Sequence, residues 1–130
     1  MSGGLPGLAG TDHVGFTVPD IEAATRFFVA VLGCELVFEI GPFKSDDDWM
    51  QAQLGVDPRA VIRKLGMFRC KTGPSFEIFE YQLDGANAIP PRNSDVAAIT
   101  WPFMSAAKAR VAKNMPEMAR AANVNFTAVV

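Results

Sequence analysis

"TDHVGFTVPDIEAATRFFVAVLGC", residues 11–34, decides how the rest of the chain is read. "HVGFTV" alternates, which predicts a half-buried strand with Val14, Phe16 and Val18 on one face and His13, Gly15 and Thr17 on the other. Pro19 and Asp20 follow, and Asp20 is the expected N-cap of a helix. Glu22 falls in its first turn, where the helix dipole favours a negative charge. Ile21, Ala24, Phe28, Val31 and Leu32 recur at helical spacing, with Gly33 as the expected C-cap. His13 is the chain's only histidine and lies on the strand face turned away from that helix. It is either packing or one ligand of a site whose other members lie elsewhere.

Working outward, "CELVFEIG" reads as a second strand and "KSDDDWMQAQLG" as a loop with a short helix. "AVIRKLGMFRC" reads as a third strand and "FEIFEYQ" as a fourth. Gly73 and Pro74 between these two predict an antiparallel hairpin. The order is β-α-β-β-β over residues 11–82. Residues 83–95 form a polar linker; beyond it "AAITWPFM" reads as a strand, 105–122 as a helix interrupted by Pro116, and "VNFTAVV" as a last strand. The expectation is a single α+β domain, 1–130, with a first module (11–82), a linker (83–95) and an incomplete second module (96–130).

Composition narrows the function. A chain of 130 residues with net charge −2 is poorly suited to bind nucleic acid or an anionic membrane. Its apolar runs are too short to span a bilayer, and "MSGGLPGLAG" lacks the basic and apolar regions of a signal peptide. Cys34 and Cys70 make no disulfide framework and are expected as buried or edge thiols in a soluble, cytoplasmic protein. Asp46, Asp47 and Asp48 lack the glycine and distal glutamate of a calcium loop and read as a solvated loop or helix cap. No nucleophile-base-acid triad assembles around the single histidine.

The motifs "DHVGFTVPDIEAATRFFVAVLGCELV" and "GPSFEIFEYQ" resemble the vicinal oxygen chelate superfamily of glyoxalase, bleomycin-resistance and extradiol dioxygenase proteins. The resemblance covers roughly residues 11–82 and implies paired β-α-β-β-β modules whose curved sheets enclose a metal and substrate cleft. It places a first-strand metal ligand on His13 and a fourth-strand ligand on Glu77; in an enzyme of this kind Glu77 or a second carboxylate would move the proton. Alternation in "FEIFEY" independently sets Glu77, Phe79 and Tyr81 on one face and Phe76, Ile78 and Glu80 on the other, with Glu80 expected to be exposed. An imidazole and a carboxylate suit zinc, iron, manganese or nickel without choosing among them. Thr17, Trp49, Phe79, Tyr81 and Thr100 are the candidate pocket residues, with core packing the alternative for the aromatic ones.

Two ligands are too few for a catalytic site of this kind. The superfamily supplies another histidine from a strand resembling "HHLAFHV", where this chain has "AAITWPFM". Back-translation offers a reason. Trp101 must be TGG and Pro102 begins CC, so a frame starting on each codon's third base reads alanine there. The third base of Phe103 with the AT of Met104 gives histidine or tyrosine, and the codons of Ala98, Ile99 and Thr100 permit CAT and CAC. A one-base deletion near codon 97 would therefore convert the family's strand into this one. After Val96, Glu117 is the only acid against Lys108, Arg110, Lys113 and Arg120, and glycine is absent after Gly85, as a change of frame would produce.

Three functions remain open. One is a metal-dependent lyase, isomerase, epimerase or dioxygenase whose ligands are completed across a homodimer or larger assembly. The second is a metal-free module binding an apolar or aromatic small molecule. The third is a relative without surviving activity, stable only as an assembly.

Overall fold

The computed structural model describes residues 3–89, 91, 92 and 94–96. Strand β1 (His13–Thr17) leads into helix α1 (Ile21–Arg26), which continues as a π-helical turn over Phe27–Val31. Strand β2 (Glu35–Ile40), helix α2 (Trp49–Leu54) and strands β3 (Val61–Arg69) and β4 (Ser75–Gln82) follow. The fold is α+β, and the element order is the expected β-α-β-β-β with one short added helix.

Local chemistry sets the boundaries. Asp20 accepts a hydrogen bond from Ala23 N at 2.8 Å, capping α1 as anticipated. Gly33, at φ 71°, turns the chain out of the helical segment into β2. Phe27 and Phe28, three and four residues after Ala24, both reach the core, where the stripe read from the sequence includes only Phe28.

The four strands form one sheet in the order β1-β4-β3-β2. β3 and β4 pair antiparallel, as the turn residues predicted, while β1 pairs parallel to β4. Two clusters of apolar side chains flank the sheet. Val18, Ile21, Ala24, Phe27, Phe28, Phe68 and Ile78 are buried together beneath α1. Each large side chain here stabilises the fold by roughly 1.5–3 kcal/mol relative to exposure. Met50 of α2 joins Ala60, Ile62 and Leu65 in the second cluster, against which Phe79 and Tyr81 pack.

Two expectations are corrected. Cys34 and Cys70 are joined in a disulfide rather than held as thiols. Glu35 pairs with Arg69 across β2 and β3, so one further step along the ladder brings the two cysteines opposite each other, with Cα atoms 4.3 Å apart. Glu80 is not solvated: its side chain is only 15% exposed. It shares the helix-side face with Ile78 and reaches the start of α1, where Oε2 accepts from Ile21 N at 2.8 Å. Arg63 closes the arrangement with two bonds to Glu80 and one to Glu22.

Beyond the linker, the strand, helix and strand read in 97–130, and with them Thr100, lie outside the described residues. Among the described residues no helix is long and apolar enough to cross a membrane.

Candidate functional site

The sheet brings His13 and Glu77 together. In the parallel pairing of β1 with β4, His13 lies beside Ser75 and Gly15 beside Glu77, so the two side chains are diagonal neighbours on one face. His13 Nε2 lies 3.3 Å from Glu77 Oε2, with side chains 40% and 24% exposed, respectively. On its other side, His13 Nδ1 lies 2.7 Å from Asp12 Oδ2. The hydrogen bond that His13 donates to Asp12 raises the His13 pKa; partial desolvation opposes it, and the Glu77 charge adds to the rise.

Among the described residues neither side chain of this pair has a Lys or Arg partner. A carboxylate only accepts, so the bond to Asp12 requires a hydrogen on Nδ1. With the ring neutral, Nε2 then turns a lone pair towards the Glu77 carboxylate. Protonation of the ring relieves that opposition, and so does a cation between the two atoms. Donors bound at about 2.1 Å to one cation, at angles of about 90–109°, lie about 3.0–3.4 Å apart. The observed 3.3 Å falls within that interval, and the donor set suits a divalent transition metal.

The remaining candidates surround the pair unevenly. Thr17 pairs in register with Phe79 and is exposed. Phe79 and Tyr81 stack at 5.6 Å between centroids and 11° between planes, making an aromatic wall along β4 beyond Glu77. They also pack against the Met50 cluster, so both the pocket and the core readings describe them. Burial, then the Glu77 charge, pushes the Tyr81 hydroxyl pKa up. Trp49 projects from α2 and meets Phe43 edge-on at 5.4 Å. Across the sheet Met67 pairs with Glu77, and Phe38 with Met67, extending the face towards an exposed apolar margin at Phe38 and Ile40.

Asp12 and Gly15 were not marked as site residues from sequence. Their signal was present: an acid immediately before the sole histidine, and a residue without a side chain between two on the same face. A separate acidic group, Asp20, Glu22 and Glu80, gathers at the start of α1. Arg63 and Lys64 already pair with Glu22, and Arg63 with Glu80, so its charge is compensated by protein groups. In the loop before α2, Asp47 accepts from Ser45 Oγ and from Trp49 N, and Asp46 and Asp48 are exposed.

The family model described as "Glyoxalase/Bleomycin resistance protein/Dioxygenase superfamily" matches residues 10–78. A 2-epi-5-epi-valiolone epimerase from an Actinomyces species is 38% identical over 92 residues, covering 71% of this chain and 49% of that protein. The chain thus spans about half the length of the curated relative it matches. Among solved structures, the fosfomycin resistance protein FosX from Mesorhizobium loti superposes with a TM-score of 0.49 at 15% identity, covering 85% of this chain and 70% of that one.

Proposed function

The chain belongs to the glyoxalase/bleomycin resistance protein/dioxygenase superfamily, and on that premise we propose that residues 11–82 supply half of a divalent-metal site for a small molecule with vicinal oxygens. The observation that carries this reading is the 3.3 Å approach of His13 Nε2 to Glu77 Oε2, two donors with no hydrogen to share when the ring is neutral and bonded to Asp12. His13 and Glu77 would hold the ion, which is zinc, iron, manganese or nickel by donor type. When bound, such an ion polarises a substrate oxygen as a Lewis acid.

The protein's own groups do the rest. Glu77 is the candidate to take or return a proton at a carbon beside a carbonyl, the move an epimerisation requires. Epimerisation also needs a second group on the opposite face of that carbon. The Actinomyces relative makes a polyoxygenated cyclic ketone the first substrate class to try. Phe79 and Tyr81 offer it an aromatic wall, and Thr17 a hydroxyl.

Further ligands are to be completed by a second copy of the chain. β1 lies at the outside of the sheet with its far edge unpaired among the described residues, and the candidate pair lies on that strand and its neighbour. A homodimer or larger is therefore part of the reading; light scattering that finds a monomer at all concentrations counts against it. Residues 96–130 are read as a second module changed by the deletion near codon 97. Gene codons at 98–100 that cannot yield CAT and CAC remove that part. Cytoplasm is the proposed compartment, where the thiol pool competes with the Cys34–Cys70 bond.

The test is the metal content and zinc and manganese affinity of the purified chain beside Glu77→Ala. About one equivalent per site, lost in the variant, is expected. Equal binding by both proteins removes Glu77 from the site. Absence of binding by either favours the second reading, a metal-free module for apolar or aromatic ligands, which the stacked Phe79–Tyr81 pair supports.

A further inference from the structure

Two carboxylates compete for one hydrogen on His13. A neutral imidazole carries a single N–H, and the ring is flanked by Asp12 at Nδ1 and by Glu77 at Nε2. The distances differ enough to decide between them. At 2.7 Å the Asp12 contact has the length of a charge-assisted hydrogen bond, whereas 3.3 Å to Glu77 lies beyond the usual N–H to oxygen range.

Asp12 is also held in place. Its carbonyl accepts from Ser75 N at 2.9 Å, which ties the residue to the start of β4 immediately ahead of the His13–Ser75 pair. The carboxylate is therefore delivered to one side of the ring by the same two strands that deliver Glu77 to the other.

We propose that Asp12 is a positioning residue that keeps the hydrogen of His13 on Nδ1, so that Nε2 presents a bare electron pair to Glu77. The tautomer itself is independent of any metal; its value as preparation of a ligand rests on the reading of His13 and Glu77 given above. Without Asp12, the Glu77 carboxylate becomes the one acceptor beside the ring among the described residues. The hydrogen then moves to Nε2, and the atom that should ligate becomes a donor bonded to its own neighbour.

Because His13 is the only histidine, one imidazole dominates a two-bond ¹H–¹⁵N correlation spectrum of the full-length, metal-free protein. The spectrum is taken well above the titration range of histidine, for the wild type and for Asp12→Ala. The wild type is expected to show a protonated Nδ1 and a bare Nε2, and the variant the reverse. A wild-type ring protonated on Nε2, or a variant spectrum identical to the wild type, overturns the proposal. Calorimetric titration with Zn²⁺ alone is the second readout, with affinity expected to fall about 10- to 100-fold in the variant. The melting temperature should hold, since the Asp12 side chain is 93% exposed. A tautomer that switches in Asp12→Ala while neither protein binds Zn²⁺ upholds the role of Asp12 and removes the metal reading alone.

Discussion

Gly15 stands opposite Glu77 in the parallel β1–β4 pair, and a β-carbon placed on it would lie 3.7 Å from Glu77 Oε2 and 3.6 Å from Phe79 Cε2. Both are ordinary contacts, so the missing side chain leaves the flank of the carboxylate open without the backbone requiring glycine. Gly15→Ala is expected to melt at or slightly above the wild-type temperature, because glycine weakens a strand interior. Gly15→Leu should fold comparably but cover the carboxylate, lowering Zn²⁺ affinity about tenfold or more. Unchanged Zn²⁺ binding by the leucine variant would mean that this flank is not part of the site.

Glu80 should matter for stability and not for the site. Its carboxylate caps the start of α1 through Ile21 N and holds Arg63, on the face of β4 turned away from Glu77. Loss of a half-buried, charged hydrogen bond costs about 1.5–3 kcal/mol. Glu80→Ala is expected to lower the unfolding free energy from urea titration by an amount in that range while leaving the His13 spectrum as it is. A changed tautomer in this variant would show that the two faces of the sheet are coupled.

Most of this arrangement was legible from residues 11–34 and 75–82, because strands of period two and a capped helix carry local signals. The family resemblance paired His13 with Glu77, alternation was compatible with a shared face, and in the structure the two lie 3.3 Å apart. What escaped was long-range or two-dimensional. The Cys34–Cys70 bond depends on the β2–β3 register across a separation of 36 residues, which no local pattern encodes. Glu80 reads as exposed by polarity, yet it serves an N–H group 59 positions earlier in the chain. Phe27 escaped for a local reason: the apolar stripe was drawn through Ala24 and Phe28, and Phe27, three residues after Ala24, lies at its edge.

The disulfide gives a third expectation. It closes a loop with a sequence separation of 36, and constraint of the unfolded chain by such a loop is worth about 4 kcal/mol at 25 °C on the chain-entropy model. Cys34 also belongs to the core beneath α1, so reduction should loosen packing there. Thermal melts with and without a strong reductant are expected to separate by many degrees, and a Cys34→Ala, Cys70→Ala double variant should be insensitive to the reductant. Coincident wild-type melts would mean that the bond contributes nothing.

Acid should act first through the charges around Arg63. Lys64 and then Arg63 hold the Glu22 pKa down to about 2, and Arg63 with the Ile21 amide holds that of Glu80 below its ordinary value. Both groups have lower pKa values folded than unfolded, so their contribution is present above about pH 4.5 and is lost as pH falls through the folded values. Glu22 is half exposed and solvent weakens its pairs, so Glu80 should carry more of the effect. Stability measured by urea unfolding is therefore expected to decline from pH 5 towards pH 2. The slope should be shallower in Glu80→Gln, whose amide does not titrate, and less altered in Glu22→Gln. An unchanged slope in Glu80→Gln would place the acid sensitivity on other carboxylates. A larger change in Glu22→Gln would mean that the exposed pairs with Arg63 and Lys64 outweigh the cap on α1.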